Sequence, residues 1–129
     1  MTTTFGCPHC YAEDLPAADA DDHKRYELDT NLEDDSHFIV SILRCRACGQ
    51  HFISIFTEYV DWEYSEDDQY RTLMPLTEQE AADLRSRAAS VHDVGDLGRT
   101  RRYVESSWPS RTAKTIRWTS GAFEVREGR

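Results

Sequence analysis

The chain has 129 residues, with 24 Asp and Glu against 15 Lys and Arg, for a net charge of −9. This length suits one domain with a modest core and excludes two independent ones. No run of 18 or more apolar residues is present to span a bilayer, and the first residues form neither a basic nor an apolar leader, so the expectation is one soluble, cytoplasmic domain over residues 1–129.

The first signal in chain order is Cys7-Pro8-His9-Cys10, followed by Tyr11. Alone, this segment resembles the active-site stretch of thiol-disulfide oxidoreductases of the DsbA type, in which the first cysteine is a low-pKa nucleophile. Such a site needs a buried strand leading into a helix N-terminus, and only six residues precede Cys7. Residues 12–35 follow, with ten carboxylates against Lys24 and Arg25, a balance of −8. They read as an acidic, solvated and partly mobile insert with a short strand over 25–28. A calcium loop over 19–30 fails because Lys24 stands where glycine is needed and Thr30 where glutamate is needed.

Residues 37–44 and 51–62 are rich in β-branched and aromatic residues and predict two strands at the centre of a sheet. Phe52, Phe56 and Val60 share one face of the second; Ile53, Ile55 and Tyr59 share the other. Between the strands lies Cys45-Arg46-Ala47-Cys48-Gly49, with Gly49 where the chain must turn tightly. Two C-x-x-C pairs account for every cysteine. Each short loop can aim two thiolates at one tetrahedral ion, and in a reducing compartment four cysteines favour metal or redox chemistry over structural disulfides. The pair of knuckles resembles the zinc ribbon class, which implies one structural zinc bound by Cys7, Cys10, Cys45 and Cys48, the second knuckle at the tip of a β-hairpin. His9 and His51 are the rival ligands, expected to face solvent or to support the thiolates from outside.

Residues 61–70 interleave Asp61, Glu63, Glu66, Asp67 and Asp68 with Trp62, Tyr64 and Tyr70. One reading is a solvated turn. The other is a recognition surface centred on Asp61, Trp62, Glu63 and Tyr64, where aromatics supply contact area and carboxylates steer a basic partner. A helix is expected from Thr77 as N-cap, with Glu80 completing a capping box, Leu76 stapled onto Ala81, and Ala81, Leu84, Ala88 and Val91 as its apolar stripe. Gly95 and Gly98 mark its exit loop.

Residues 99–129 reverse the sign, with eight basic residues against three acidic ones, +5. Strands are expected over 101–108 and 113–119, and a third short one over 123–125. Arg101, Arg102 and Arg117 interleave with Tyr103, Trp108 and Trp118 as in a single-strand nucleic-acid surface. The alternative is that these arginines pair with the acidic half of the molecule. The overall negative charge favours the latter, because its field repels a polyanion.

The expected fold class is α+β: a zinc-ribbon hairpin elaborated into an antiparallel sheet with one main helix. The expected function is a non-catalytic, zinc-stabilised binding protein for a basic protein partner, similar in size and charge to immunity proteins and small inhibitors. A nucleic-acid-associated zinc ribbon of the transcription type is the second reading, and a CPHC oxidoreductase the third.

Overall fold

The computed structural model describes residues 5–6, 10–11, 25–59, 68–108 and 115–126. Six strands form one sheet in chain order: β1 (Tyr26–Asp35), β2 (Phe38–Cys45), β3 (His51–Tyr59), β4 (Asp68–Leu76), β5 (Tyr103–Trp108) and β6 (Thr115–Thr119). Every neighbouring pair is antiparallel. A helix, α1 (Glu78–Arg85), and a 3-10 helix (Val91–Thr100) lie between β4 and β5. The fold is therefore α+β, mostly antiparallel sheet.

Alternation along the central strands gives the sheet two apolar faces. On one, Val40, Ile42, Ile53, Ile55 and Met74 pack with Leu84, Val91 and Val94 from the helical segment. On the other, Tyr26, Phe52, Leu73 and Val104 pack with Cys10 and Cys45. The division of β3 into Phe52 on one side and Ile53 and Ile55 on the other follows the period-2 reading of its sequence.

Strands β1 and β4 and helix α1 depart from expectation. The strand expected over 25–28 extends to Asp35, because its irregular register with β2 accommodates residues that alternate poorly: shifts occur between Leu28 and Thr30 and between Asn31 and Glu33. Strand β4 has no counterpart in the sequence reading. Its first residues belong to an acidic stretch and Pro75 argues against a central strand. Pairing resolves this, since β5 covers β4 only from Gln69 to Leu73, so Pro75 lies beyond that ladder. Helix α1, finally, is shorter than its expected stripe. It ends at Arg85, Ser86 caps it, and Arg87 turns left-handed at φ 65°. Ala88 is consequently exposed, and Val91 reaches the core from the 3-10 helix.

Gly95 and Gly98 do more than mark an exit. They are buried in the 3-10 helix, where a Cβ on Gly95 would stand 1.7 Å from the Phe123 carbonyl oxygen and one on Gly98 would stand 2.3 Å from that of Gly121. Only glycine admits residues 121–123 so closely, and the Gly121 and Phe123 N–H groups donate to the Gly98 and Gly95 carbonyls. The segment expected as a strand over 123–125 is thus a coil bound to the helical layer, not an addition to the sheet.

The capping box forms as expected. Thr77 Oγ1 accepts from the Glu80 N–H at 3.1 Å and Glu80 Oε1 accepts from the Thr77 N–H at 2.8 Å. Arg101, whose side chain is 7% exposed, donates to both Glu80 oxygens at 2.6 and 3.0 Å and to the Pro75 carbonyl at 3.0 Å. Burial pushes the Glu80 carboxyl up, but the Arg101 and Thr77 donors outweigh it and hold Glu80 below its ordinary value.

Arg101→Ala is therefore expected to destabilise the protein by about 2 kcal/mol, less than for a fully buried pair because Glu80 keeps some solvent contact. Because the folded-state pKa of Glu80 is depressed, its contribution is complete above about pH 4.5 and disappears as pH falls through the folded value. Urea unfolding of the wild type and Glu80→Gln between pH 7 and pH 3 checks this: the difference between the two should be largest at neutral pH and shrink on acidification.

Candidate metal centre

The β2–β3 turn is built to present sulfur. Cys45 closes β2, its N–H donating to the Gln50 carbonyl at 2.9 Å, and the Gly49 N–H returns to the Cys45 carbonyl at 2.8 Å. Gly49, at φ 80°, turns the chain where a side chain would be strained. Cys45 is buried and Cys48 is exposed, so the turn offers one thiol from beneath and one from the solvent side. Cys10, fully buried, comes from a segment 35 positions earlier.

The sulfurs of Cys10, Cys45 and Cys48 all lie within 4.8 Å of one another, with Cys10 and Cys48 3.7 Å apart. Four thiolates arranged tetrahedrally at about 2.3 Å from an ion have sulfur–sulfur edges of about 3.8 Å. The spacing therefore fits three corners of such a polyhedron and is far longer than the bond of about 2.05 Å in a disulfide. These three cysteines can hold a metal ion. Cys7 lies outside the described residues, as does His9.

His51 is directed elsewhere. Its Nε2 is 3.4 Å from Asp29 Oδ2 and 3.1 Å from Arg85 Nη2, and Arg85 pairs with Asp29 at 2.8 Å. The Arg85 hydrogen bonds lower the Asp29 carboxyl to a pKa of about 2. This cluster ties β1, β3 and α1 together behind the turn.

Gln50, Tyr11 and Arg102 dock the N-terminal segment, a role that the sequence indicates for none of them. Gln50 Oε1 accepts from the Gly6 N–H at 2.9 Å, while its Nε2 donates to the His51 and Leu76 carbonyls at 2.9 and 2.6 Å. Tyr11 donates its hydroxyl to the Arg102 carbonyl at 2.8 Å and accepts from the Arg102 N–H at 3.1 Å. The Arg102 guanidinium lies 4.3 Å from the Tyr11 ring centroid and 4.2 Å from that of Trp118, and also donates to the Tyr11 carbonyl. Burial raises the Tyr11 phenol despite the opposing Arg102 contacts, so it remains neutral and keeps both bonds. The partners are 91 residues apart, which is why no local pattern could identify them.

Among the described residues, the C-terminal arginines have partners within the molecule. Arg101 binds Glu80, Arg117 lies 2.9 Å from Glu105, and Arg126 lies 3.3 Å from Glu124. Trp118 packs against Arg102 and Tyr11, and Tyr103 is buried. Asp61, Trp62, Glu63 and Tyr64 lie outside the described residues. The strands that flank them carry Tyr59 and Tyr70, whose rings meet edge-on at 5.8 Å. Among the described residues, no helix is long and apolar enough to cross a membrane.

Arg102→Ala removes the guanidinium from against the Tyr11 and Trp118 rings, which themselves meet edge-on, and is expected to cost about 2 kcal/mol. Because it also frees Tyr11, next to Cys10, metal should be held less tightly although no sulfur has changed. Titration with a chromophoric chelator measures this; unchanged retention would separate the Tyr11 contact from the thiol cluster.

Against known families, curated proteins and solved structures, no family model, no curated protein and no solved structure matches this chain.

Proposed function

We propose that this chain is a non-catalytic, zinc-stabilised binding protein that captures a basic protein partner, comparable in role to small immunity or inhibitor proteins. The observation that carries the reading is the approach of thiols from both C-x-x-C pairs to within 4.8 Å. A dithiol enzyme uses one pair and gives the other no reason to be there. Cys7 stands three residues before Cys10 and completes an all-sulfur set of four. Soft thiolates in tetrahedral array suit zinc, and the arrangement is that of a zinc ribbon whose second knuckle is the β2–β3 turn. Four thiolates leave no position for water or substrate, so the ion is structural. Its work is to join the N-terminal segment to the sheet.

Charge placement supports the choice of partner. Residues 12–24 carry five carboxylates against Lys24, a balance of −4, and residues 60–67 carry four carboxylates and no cation, another −4. Together these short segments hold −8 of the chain's −9, while arginines elsewhere face carboxylates of the same molecule. Net negative charge in the stretch of sequence that holds Trp62 and Tyr64 suits a basic protein surface and opposes nucleic acid.

Protein purified without chelators should contain one zinc per chain by elemental analysis, and Cys48→Ser should lower both zinc content and melting temperature. The same preparation should show no turnover in insulin reduction, since zinc-bound thiolates are poor nucleophiles; activity abolished by Cys7→Ser would overturn the non-catalytic reading. For the partner, pull-down from the native host is followed by binding kinetics. Charge reversal at Asp61 and Glu63 should slow association mainly, whereas Trp62→Ala should speed dissociation, because steering acts on encounter and buried aromatic area on residence. Recovery of DNA or RNA as the principal ligand, with Arg101, Arg102 and Arg117 required, would sink the protein-partner reading.

A further inference from the structure

On the face of the sheet that carries the helices, beyond the end of the helical layer, β3, β4 and β5 and the segment 121–126 border an open cavity of about 410 Å³. That volume lies within the range of about 300–1,000 Å³ usual for small-ligand sites. Tyr59, Tyr70 and Phe123 line it with ring surface, and Glu124 and Glu105 supply carboxylates, Glu105 through Oε1, since its Oε2 accepts from Arg117. Tyr70 is 39% exposed, which is unusual for a large ring on a strand of this sheet.

The cavity already receives a guanidinium. Arg126 enters it from the C-terminal segment, anchored by its backbone carbonyl, which accepts from Thr57 Oγ1 at 2.9 Å. Its side chain meets the Tyr59 hydroxyl and Glu124 Oε2, and these two contacts raise its pKa above the ordinary arginine value. Yet the Arg126 side chain is 66% exposed and Glu124 is 75% exposed, so the resident cation is held loosely and remains exchangeable with one from outside.

We propose that this cavity is the seat of a single arginine side chain of the basic protein partner, which displaces Arg126, lies against the Tyr59 and Tyr70 rings, and pairs with Glu105 and Glu124. The inference rests on the proposed function, whose partner it equips with a specific anchor. Arginine suits the cavity better than lysine, because a planar guanidinium both stacks on aromatic rings and forms paired hydrogen bonds with carboxylates. Tyr59 and Tyr70 stand on β3 and β4, the two strands that residues 60–67 connect in sequence, and that connection contains Asp61 and Glu63. Charge would bring the partner in, and the cavity would retain it.

The test uses the full-length, metal-loaded protein and two capped hexapeptides, one of six arginines and one in which every arginine is replaced by neutral, isosteric citrulline. NMR follows the ring resonances of Tyr59 and Tyr70. Hexa-arginine should shift both and the citrulline peptide neither. Tyr70→Ala and Glu105→Gln should each weaken hexa-arginine binding about tenfold. Arg126→Ala should tighten it about threefold by removing the internal competitor, at little risk to folding. Binding that leaves both rings unmoved, or that Arg126→Ala does not strengthen, overturns the inference. If Asp61→Lys with Glu63→Lys abolishes binding of a native basic partner while Tyr70→Ala and Glu105→Gln do not, the cavity is excluded and the basic-partner reading stands. If the native ligand is nucleic acid, that reading fails, and the ring shifts decide separately whether the cavity accepts arginine.

Discussion

Two adjacent arginines hold the covers on the two faces of this sheet. A six-stranded antiparallel sheet with apolar side chains on both sides must be covered twice, and here each cover is short. Arg101 is extended, so its side chain and that of Arg102 leave the backbone in opposite directions. Arg101 grips the first turn of α1 through Glu80 and lies 4.8 Å from the Phe5 ring centroid. Arg102 clamps Tyr11 beside the cysteine cluster. Both covers are fastened by charge-assisted contacts placed where β5 begins.

This dependence changes the meaning of the basic C-terminal third. A cluster of Arg and Trp suggests a surface for phosphates and bases, yet here the same chemistry works inward. A guanidinium against ring surface is equally favourable whether the ring belongs to a ligand or to the protein itself. In Arg102 and Trp118 the protein has used that preference to attach its own N-terminal segment.

How much was legible in the sequence follows from the distance over which each feature is encoded. The capping box at Thr77 and Glu80, the alternation of β3 and the glycine after Cys48 are local patterns, and each appears as read. The cysteine cluster is long-range but was legible because C-x-x-C spacing carries its geometry with it. Strand β4 was not, because its acidic start and Pro75 make sense only once the incomplete coverage by β5 is known. The docking roles of Tyr11, Gln50 and Arg102 were not legible for a similar reason: each is set only when folding brings its partner to it. Helix α1 was overextended because Ala88 and Val91 keep helical spacing through a break that Arg87 imposes with its left-handed backbone.

The uneven register of β1 has a consequence for how copies of this molecule meet. As the edge of the sheet, β1 presents one side of its backbone outward, and a regular edge would offer a second copy an unbroken row of donors and acceptors. The shifts between Leu28 and Thr30 and between Asn31 and Glu33 interrupt that row twice within six residues. The same strand carries Asp29, Glu33, Asp34 and Asp35, so two such edges laid together would also set carboxylate against carboxylate. Among the described residues, this margin therefore offers a second copy an interrupted template, and the exposed Leu28 side chain sits at one of the interruptions.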